Sequence, residues 1–418
     1  MALLFLCLIF GTGRTQKIEA AVQNVPESLE EESRLDTVGT DQETERAAVR
    51  EKKGQQEKEA GDTETDQAAA AQDELLAELD FDAIQQEVDS LLSSQQFSFA
   101  GTVRSLLQDG DPFRTFRAGN AVLSCAKTAF LAQKGLMKEL FLLVLAGAVL
   151  GSFSSLFEGK QVRDASFYMV YLLALALILK NFQSSGENLK AVITSLVAFM
   201  RILTPSYYLA AAAAGDASSA VMFYQMLLLV ILAVEKLLLA LVLPMIHIYL
   251  LIALVNDLSG EEILSHMTEL LETCVNGLLK SSLGVLVGMQ MIRNLIAPAL
   301  DSLRQMALWR TAGMIPGIGN AVNAVTELVA GSAVLIRNCF GVTAMLVLLA
   351  AGMVPAVQLL VSGLSFRLLA AAAQPVSDKR IAGCLAAAGK GYAMLLRLLL
   401  TVEVLFLLTI AILAGTFS

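Results

Sequence analysis

Histidine and cysteine are the side chains best suited to metal binding and nucleophilic catalysis, and this chain of 418 residues has two histidines and five cysteines. The cysteines, at positions 7, 125, 274, 339 and 384, never lie within three residues of one another, which excludes a CxxC or CxxH pair. His247 and His266 have no second His or Cys at i+3 or i+4, the spacing of a metal pair on one helix face. We therefore expect no metal site, no other cofactor and no enzymatic activity.

The sequence also lacks the motifs of a nucleotide-binding site. The sequence contains no G-x-x-x-x-G-K-[ST] loop, and the pair Gly317 and Gly319 is not followed by a glycine, because position 322 is Val. We expect the chain to bind neither a nucleotide nor nucleic acid.

Charged side chains inside apolar runs are a sharper signal. Arg337, Glu327, Arg397 and Glu403 all lie within or between such runs. Ionisable groups in hydrocarbon are costly and usually face a bundle interior or a water-filled cavity. Glu403 is therefore a candidate pore-lining or proton-relay acid, although an interfacial charge at the end of a tilted helix would give the same pattern.

Candidate helix breaks and helix contacts come from proline and glycine. Gly313, Pro316, Gly317 and Gly319 interrupt one apolar stretch, which predicts either a re-entrant break or a turn between two spans. Pro355 and Pro375 are predicted to interrupt two later stretches. Three glycine pairs have the spacing that lets membrane helices approach closely, and they are Gly147 with Gly151, Gly284 with Gly288, and Gly313 with Gly317.

Membrane helices must position these residues, because 56% of the chain is hydrophobic and only 17% is charged. Long apolar runs between residues 139 and 418 predict an all-α, polytopic membrane domain with seven or eight spans. Residues 1–20 resemble a secretory signal peptide, although no Lys or Arg precedes their apolar run. Residues 14–80 carry a net charge of −11 and the rest of the chain carries +2, which together give the total of −9. We interpret residues 21–72 as an acidic disordered linker.

Residues 73–138 form the remaining region, for which we predict amphipathic extracytoplasmic or interfacial helices. Apolar residues recur at helical spacing in 73–92, and lysines alternate with an apolar face in 118–138. A basic helix next to a span usually lies in the headgroup layer, so membrane lipid is an expected partner. The positive flank alone would place this region in the cytoplasm, whereas a signal peptide places it outside. We favour the orientation that the signal peptide gives.

In its C-terminal third, the sequence resembles the stage III sporulation protein AE family of endospore-forming bacteria. The stretches that carry the resemblance are Leu295 to Asp301, Ile315-Pro316-x-x-Gly319, Leu335 to Asn338 with Gly341, Pro355-x-x-Gln358-Leu359-Leu360, and Phe366 to Ala371 running into Gln374 to Arg380. The similarity is dense from about residue 280 to 418 and looser from 75 to 280.

The resemblance implies a core membrane subunit of a secretion-like channel that links mother cell and forespore during engulfment. It implies a multi-pass protein of the mother-cell membrane around the forespore, with its N-terminal region in the intermembrane space. The implied partners are a separate secretion-type ATPase, small membrane proteins and ring-forming proteins of the intermembrane space. From the broken segment 313–320 and the small-residue faces we also expect further copies of the chain. The resemblance supplies no catalytic residue.

Two other functions stay open from the residues alone. A secondary transporter could carry protons on Glu403 or Glu327, although the runs do not divide into two halves with matching interruptions. An intramembrane enzyme would need a convergent pair of acids or histidines, which the spacing does not supply.

Overall fold

The computed structural model describes residues 80–92, 97–109, 118–154, 160–211, 228–229, 231–259, 264–312 and 319–415, and these residues form helices without any strand. The predicted signal peptide and acidic linker lie outside this part of the chain, as do Gly313, Pro316 and Gly317. The helices are α1 (Phe81–Leu91), α2 (Phe99–Asp109), α3 (Ala118–Ser154), α4 (Lys160–Ala211), α5 (Leu243–Ser259), α6 (Ser265–Ala312), α7 (Gly319–Ala373) and α8 (Lys379–Gly415).

Five helical stretches of the described residues are long and apolar enough to cross a membrane, judged by length and composition. They are Phe167–Tyr207, Ile231–Ser259, Ser265–Met289, Gly331–Ala373 and Lys379–Ala411. The second of these joins α5 to the preceding helical residues through a π-helical turn at Leu238–Val242.

The helices are fewer and longer than the apolar runs. The apolar stretches 165–179 and 191–211 both belong to α4, and the apolar stretches 381–396 and 404–415 both belong to α8. A single Lys, Arg or Glu interrupts hydropathy without interrupting the helical backbone, since these residues are good helix formers. Likewise, the predicted boundary at residue 139 falls inside α3.

An antiparallel hairpin of α7 and α8 forms the centre of the bundle. The turn between them is short: the amide of Ser377 donates to the carbonyl of Ala373 at 2.8 Å. Asp378 then caps α8 by accepting a hydrogen bond from the amide of Arg380 at 3.0 Å. Helix α8 also contacts α4, α5 and α6, whereas α7 contacts α2, α3 and α4.

The two short N-terminal helices bury their apolar faces on this bundle. Asp80 caps α1 by accepting a hydrogen bond from the amide of Ala83 at 3.1 Å, and Ile84 and Val88 are fully buried. The rings of Phe81 and Phe99 lie 6.1 and 5.0 Å from the ring of Phe340 in α7. The apolar stripe predicted for residues 73–92 is therefore covered by the bundle over its described part.

Candidate functional site: buried polar contacts between the helices

The buried carboxylate of Glu403 in α8 packs directly against Gly352 in α7. Glu403 is only 8% exposed, and a Cβ atom at Gly352 would overlap its carboxylate. Within the described residues, Oε1 of Glu403 has no hydrogen-bond partner. The carboxylate thus lies in the interior of the bundle, directly on the backbone of α7, at a position that only glycine leaves open.

About three helical turns closer to the hairpin turn along α8, Tyr392 forms polar contacts with α4. Its hydroxyl accepts a hydrogen bond from Nδ2 of Asn181 at 2.8 Å and lies 3.2 Å from Oγ of Ser185, both in α4. Its ring stacks on Phe366 of α7, with ring centroids 5.3 Å apart. The three helices are therefore joined by one fully buried side chain.

His247 of α5 lies next to this cluster. Its ring occupies the space where a side chain at Gly186 of α4 would be, and it meets the ring of Phe182 edge-on at 5.2 Å. Nδ1 lies 2.9 Å from the carbonyl oxygen of Leu243, one turn earlier in the same helix. The ring of His247 therefore serves to pack α5 against α4.

A third group of polar contacts lies close to the hairpin turn. The hydroxyl of Tyr171 in α4 donates to the carbonyl of Leu254 in α5 at 2.5 Å. Nη1 of Arg380 donates to the carbonyl of Leu258 at 3.4 Å, and its guanidinium lies 5.5 Å from the centroid of Phe167. The carbonyl of Leu258 belongs to the last turn of α5, where carbonyls have no partner within the helix, and the bond from Arg380 satisfies it.

Two polar contacts fix α6 against α8. Nζ of Lys390 pairs with Oε2 of Glu272 at 2.5 Å, and Nη1 of Arg397 donates to Oδ1 of Asn276 at 3.1 Å. Arg397 is exposed, so this predicted intramembrane charge lies on the outside of α8.

The other predicted charges have different environments. Arg337 is 1% exposed and is among the largest fully buried side chains. Glu327 belongs to α7, but its side chain lies outside the described part of the structure. Arg337 and Glu403 lie far apart on the hairpin, because Arg337 is four turns before Gly352.

The predicted helix breaks also differ from one another. Gly319 is the first residue of α7, and Pro375 lies in the turn after its last residue. The prediction that Pro355 interrupts its run is wrong, because α7 continues through it. Proline removes one backbone hydrogen bond and bends a helix, but membrane helices tolerate it where neighbouring helices hold both sides.

Of the glycine pairs, Gly147 is close to another helix: a Cβ there would lie 3.0 Å from Cγ1 of Val170. A Cβ at Gly284 or Gly288 would meet nothing within 4 Å among the residues that the structure describes.

Sequence reasoning missed Asn181, Ser185 and Tyr392. Asn181 and Ser185 are one turn apart at the end of an apolar run, which is a signal for a polar patch on one helix face. Nothing in the sequence identifies their partner, since Tyr392 is 211 residues from Asn181.

The chemistry of this interior is hydrogen bonding and close packing. Among the described residues, no group of three or more His, Cys, Asp or Glu side chains is placed to hold a metal ion. The buried polar groups instead connect α4, α5, α7 and α8 at several levels of the bundle.

Comparison with known proteins gives two matches. A family model described as Stage III sporulation protein AE matches residues 97–416. The chain is also 22% identical to the Stage III sporulation protein AE of Bacillus subtilis (strain 168) over 291 residues, which cover 69% of this chain and 73% of that protein. No solved structure matches.

Proposed function

The chain belongs to the stage III sporulation protein AE family, and from this membership we propose that it is a core membrane subunit of a secretion-like channel linking mother cell and forespore during sporulation. The observation that carries the proposal is the extent of the family match, which includes every helix from α2 to α8. The family match thus covers the helical bundle from α2 to α8.

The bundle supports a structural and conductive role rather than catalysis. Five stretches suit a membrane-spanning position. Hydrogen bonds of Tyr392 and Tyr171 connect α4 to α8 and α5, and Glu403 of α8 packs closely on Gly352 of α7. Interhelical hydrogen bonds and close approach at small residues hold helices together where no hydrophobic force drives association.

The partners and the location follow from the same proposal. The subunit resides in the mother-cell membrane around the forespore, as a multi-pass protein with its N-terminal region in the intermembrane space. A separate secretion-type ATPase supplies the energy. Small membrane proteins, intermembrane ring proteins and further copies of this chain complete the assembly.

Affinity purification from sporulating cells tests this proposal. An affinity-tagged full-length chain, extracted in mild detergent from the organism that carries it, should retain the ATPase and the ring proteins. The matched control is the same tagged chain produced in vegetative cells, where those partners are absent. A chain recovered from sporulating membranes without any of these proteins would overturn the proposal.

The alternative function is a secondary transporter that couples protons to transport. The burial of Glu403, with no hydrogen-bond partner for Oε1 among the described residues, favours this alternative. It predicts that the chain alone, in liposomes, carries out proton-driven uptake that Glu403→Gln abolishes. Uptake without the other subunits would support the transporter and contradict the channel subunit.

A further inference from the structure

The exposed surface of α4 changes character along its length. Near its start, the exposed side chains include Tyr168, Met169, Leu172 and Leu173, as expected for a helix in contact with lipid. From residue 183 to 201 the exposed side chains are polar, with Ala191 as the one exception. This second surface, the polar face of α4, consists of Gln183, Ser184, Glu187, Asn188, Lys190, Thr194 and Arg201.

The polar face is part of a well-packed helix. Leu189, Ile193, Leu196 and Met200, on the opposite side of the same turns, are buried in the bundle. The orientation of α4 is therefore fixed by its apolar side, and the polar side is turned outward.

The position of the polar face along the bundle follows from the segment that packs beside it, which is α5 with the residues preceding it. They run antiparallel to α4, since Tyr171 bonds to Leu254 whereas Gly186 contacts His247. Further along, Arg201 is close enough to Glu235 for their charges to interact. Residues 186–201 of α4 thus lie beside residues 235–247.

Beside Arg201 the neighbouring segment carries Glu235 and the exposed Lys236, but from residue 237 to 248 its exposed side chains are apolar. Leu237 and Leu241 are 41% and 43% exposed, within the candidate span Ile231–Ser259. One level of the bundle therefore presents an apolar surface on one helix and a polar surface on the next. The apolar surface suits lipid at a depth where the polar face cannot contact lipid.

The energetic reason is the cost of charge in hydrocarbon. A charged side chain at the centre of a membrane helix strongly disfavours insertion when it faces lipid. Glu187, Lys190 and Arg201 all belong to the polar face, so contact with lipid would be strongly unfavourable. Charged and polar groups at membrane depth instead face water or protein.

We propose that the polar face of α4 borders water inside the membrane and forms part of the wall of an aqueous path. This inference rests on the proposed channel function, which it deepens by assigning one surface of this subunit to the path. The polar face combines both charge signs with amide and hydroxyl groups. Such a wall suits hydrated solutes, without the single-sign ring of charges that selects one kind of ion.

Cysteine labelling with a charged, membrane-impermeant maleimide tests the inference. Ser184→Cys, Asn188→Cys and Thr194→Cys are made one at a time in the full-length chain with its native cysteines replaced by alanine. Labelling is measured in membranes from sporulating cells, where the partners are present. The matched controls are Leu237→Cys and Leu241→Cys, which lie at the same depth.

We expect the three polar-face cysteines to be labelled at least ten times faster than the two leucine positions. Equal, fast labelling of both sets would overturn the inference, because this level of the bundle would then be outside the membrane. Slow labelling of the polar face in membranes would also overturn it, because another protein surface would then cover the face. The labelling measures contact with water and not passage of solute. If the polar face is labelled but the assembly passes no solute, the proposed channel function is contradicted and the inference about the polar face is not.

Discussion

The carboxylate of Glu403 in α8 lies directly on the backbone of Gly352 in α7, where a Cβ atom would overlap it. The two helices of the central hairpin therefore have complementary shapes at this point. A long polar side chain in one helix fills the space left by a missing side chain in the other.

Gly352→Ala should destabilise the bundle because its methyl group and the Glu403 carboxylate would occupy the same space. Overpacking of this kind costs about 1–3 kcal/mol. Thermal unfolding in mild detergent measures the effect. Gly284→Ala is the matched control, because a Cβ there meets nothing within 4 Å, and it should be neutral or slightly stabilising. Equal unfolding temperatures for the two variants would contradict the close contact.

Glu403→Gln should leave the unfolding temperature unchanged or raise it. The amide has nearly the shape of the carboxylate, and it removes the cost of keeping a charge in an apolar interior. Glu272→Gln, which breaks the partly exposed pair with Lys390, should lower stability by no more than about 1 kcal/mol. A large loss of stability in Glu403→Gln alone would show that the carboxylate has a stabilising charged partner.

Tyr392→Phe should destabilise the protein by about 1–3 kcal/mol, because Asn181 and Ser185 would lose a buried hydrogen-bond partner. The ring contact with Phe366 would remain. Tyr168→Phe is the control, since that side chain is 45% exposed, and its effect should lie within about 0.5 kcal/mol. In a double-mutant cycle, Asn181→Ala and Tyr392→Phe should be non-additive. Additive effects would mean that the two side chains do not interact.

Arg337 and Arg397 should respond differently to truncation. Arg337→Ala removes a fully buried side chain and should cost more than about 2 kcal/mol. Arg397→Ala removes an exposed one with a single hydrogen bond to Asn276, and should cost about 1 kcal/mol or less. Unfolding in detergent measures both. Similar losses for the two variants would contradict the burial of Arg337.

The helical nature of the described chain follows from its apolar periodicity, and so does the amphipathic α1. The lengths of the helices could not be predicted from this periodicity. Lys180 and Arg397 divide apolar runs in the sequence, yet both lie on exposed surfaces of continuous helices. A hydropathy pattern detects such a charge without showing which side of the helix carries it.

For the contact between Glu403 and Gly352, the sequence identifies one of the two residues and not its partner. Glu403 is conspicuous because it interrupts an apolar run, but Gly352 is one of 29 glycines. Their pairing depends on the register of α7 against α8, which the turn after Ala373 determines. Pro355 shows the converse, because its local signal for a break is overridden by packing along the whole of α7.

Release of a trapped hydrophilic dye from vesicles tests the channel most directly. The assembly purified from sporulating cells is reconstituted with Asn188→Cys or Leu241→Cys in this subunit, both in the alanine-substituted background. We expect both to release the dye, and attachment of a bulky, charged maleimide to Asn188→Cys to slow its release at least tenfold while Leu241→Cys stays unaffected. Vesicles that contain the complete assembly and retain the dye would contradict the account.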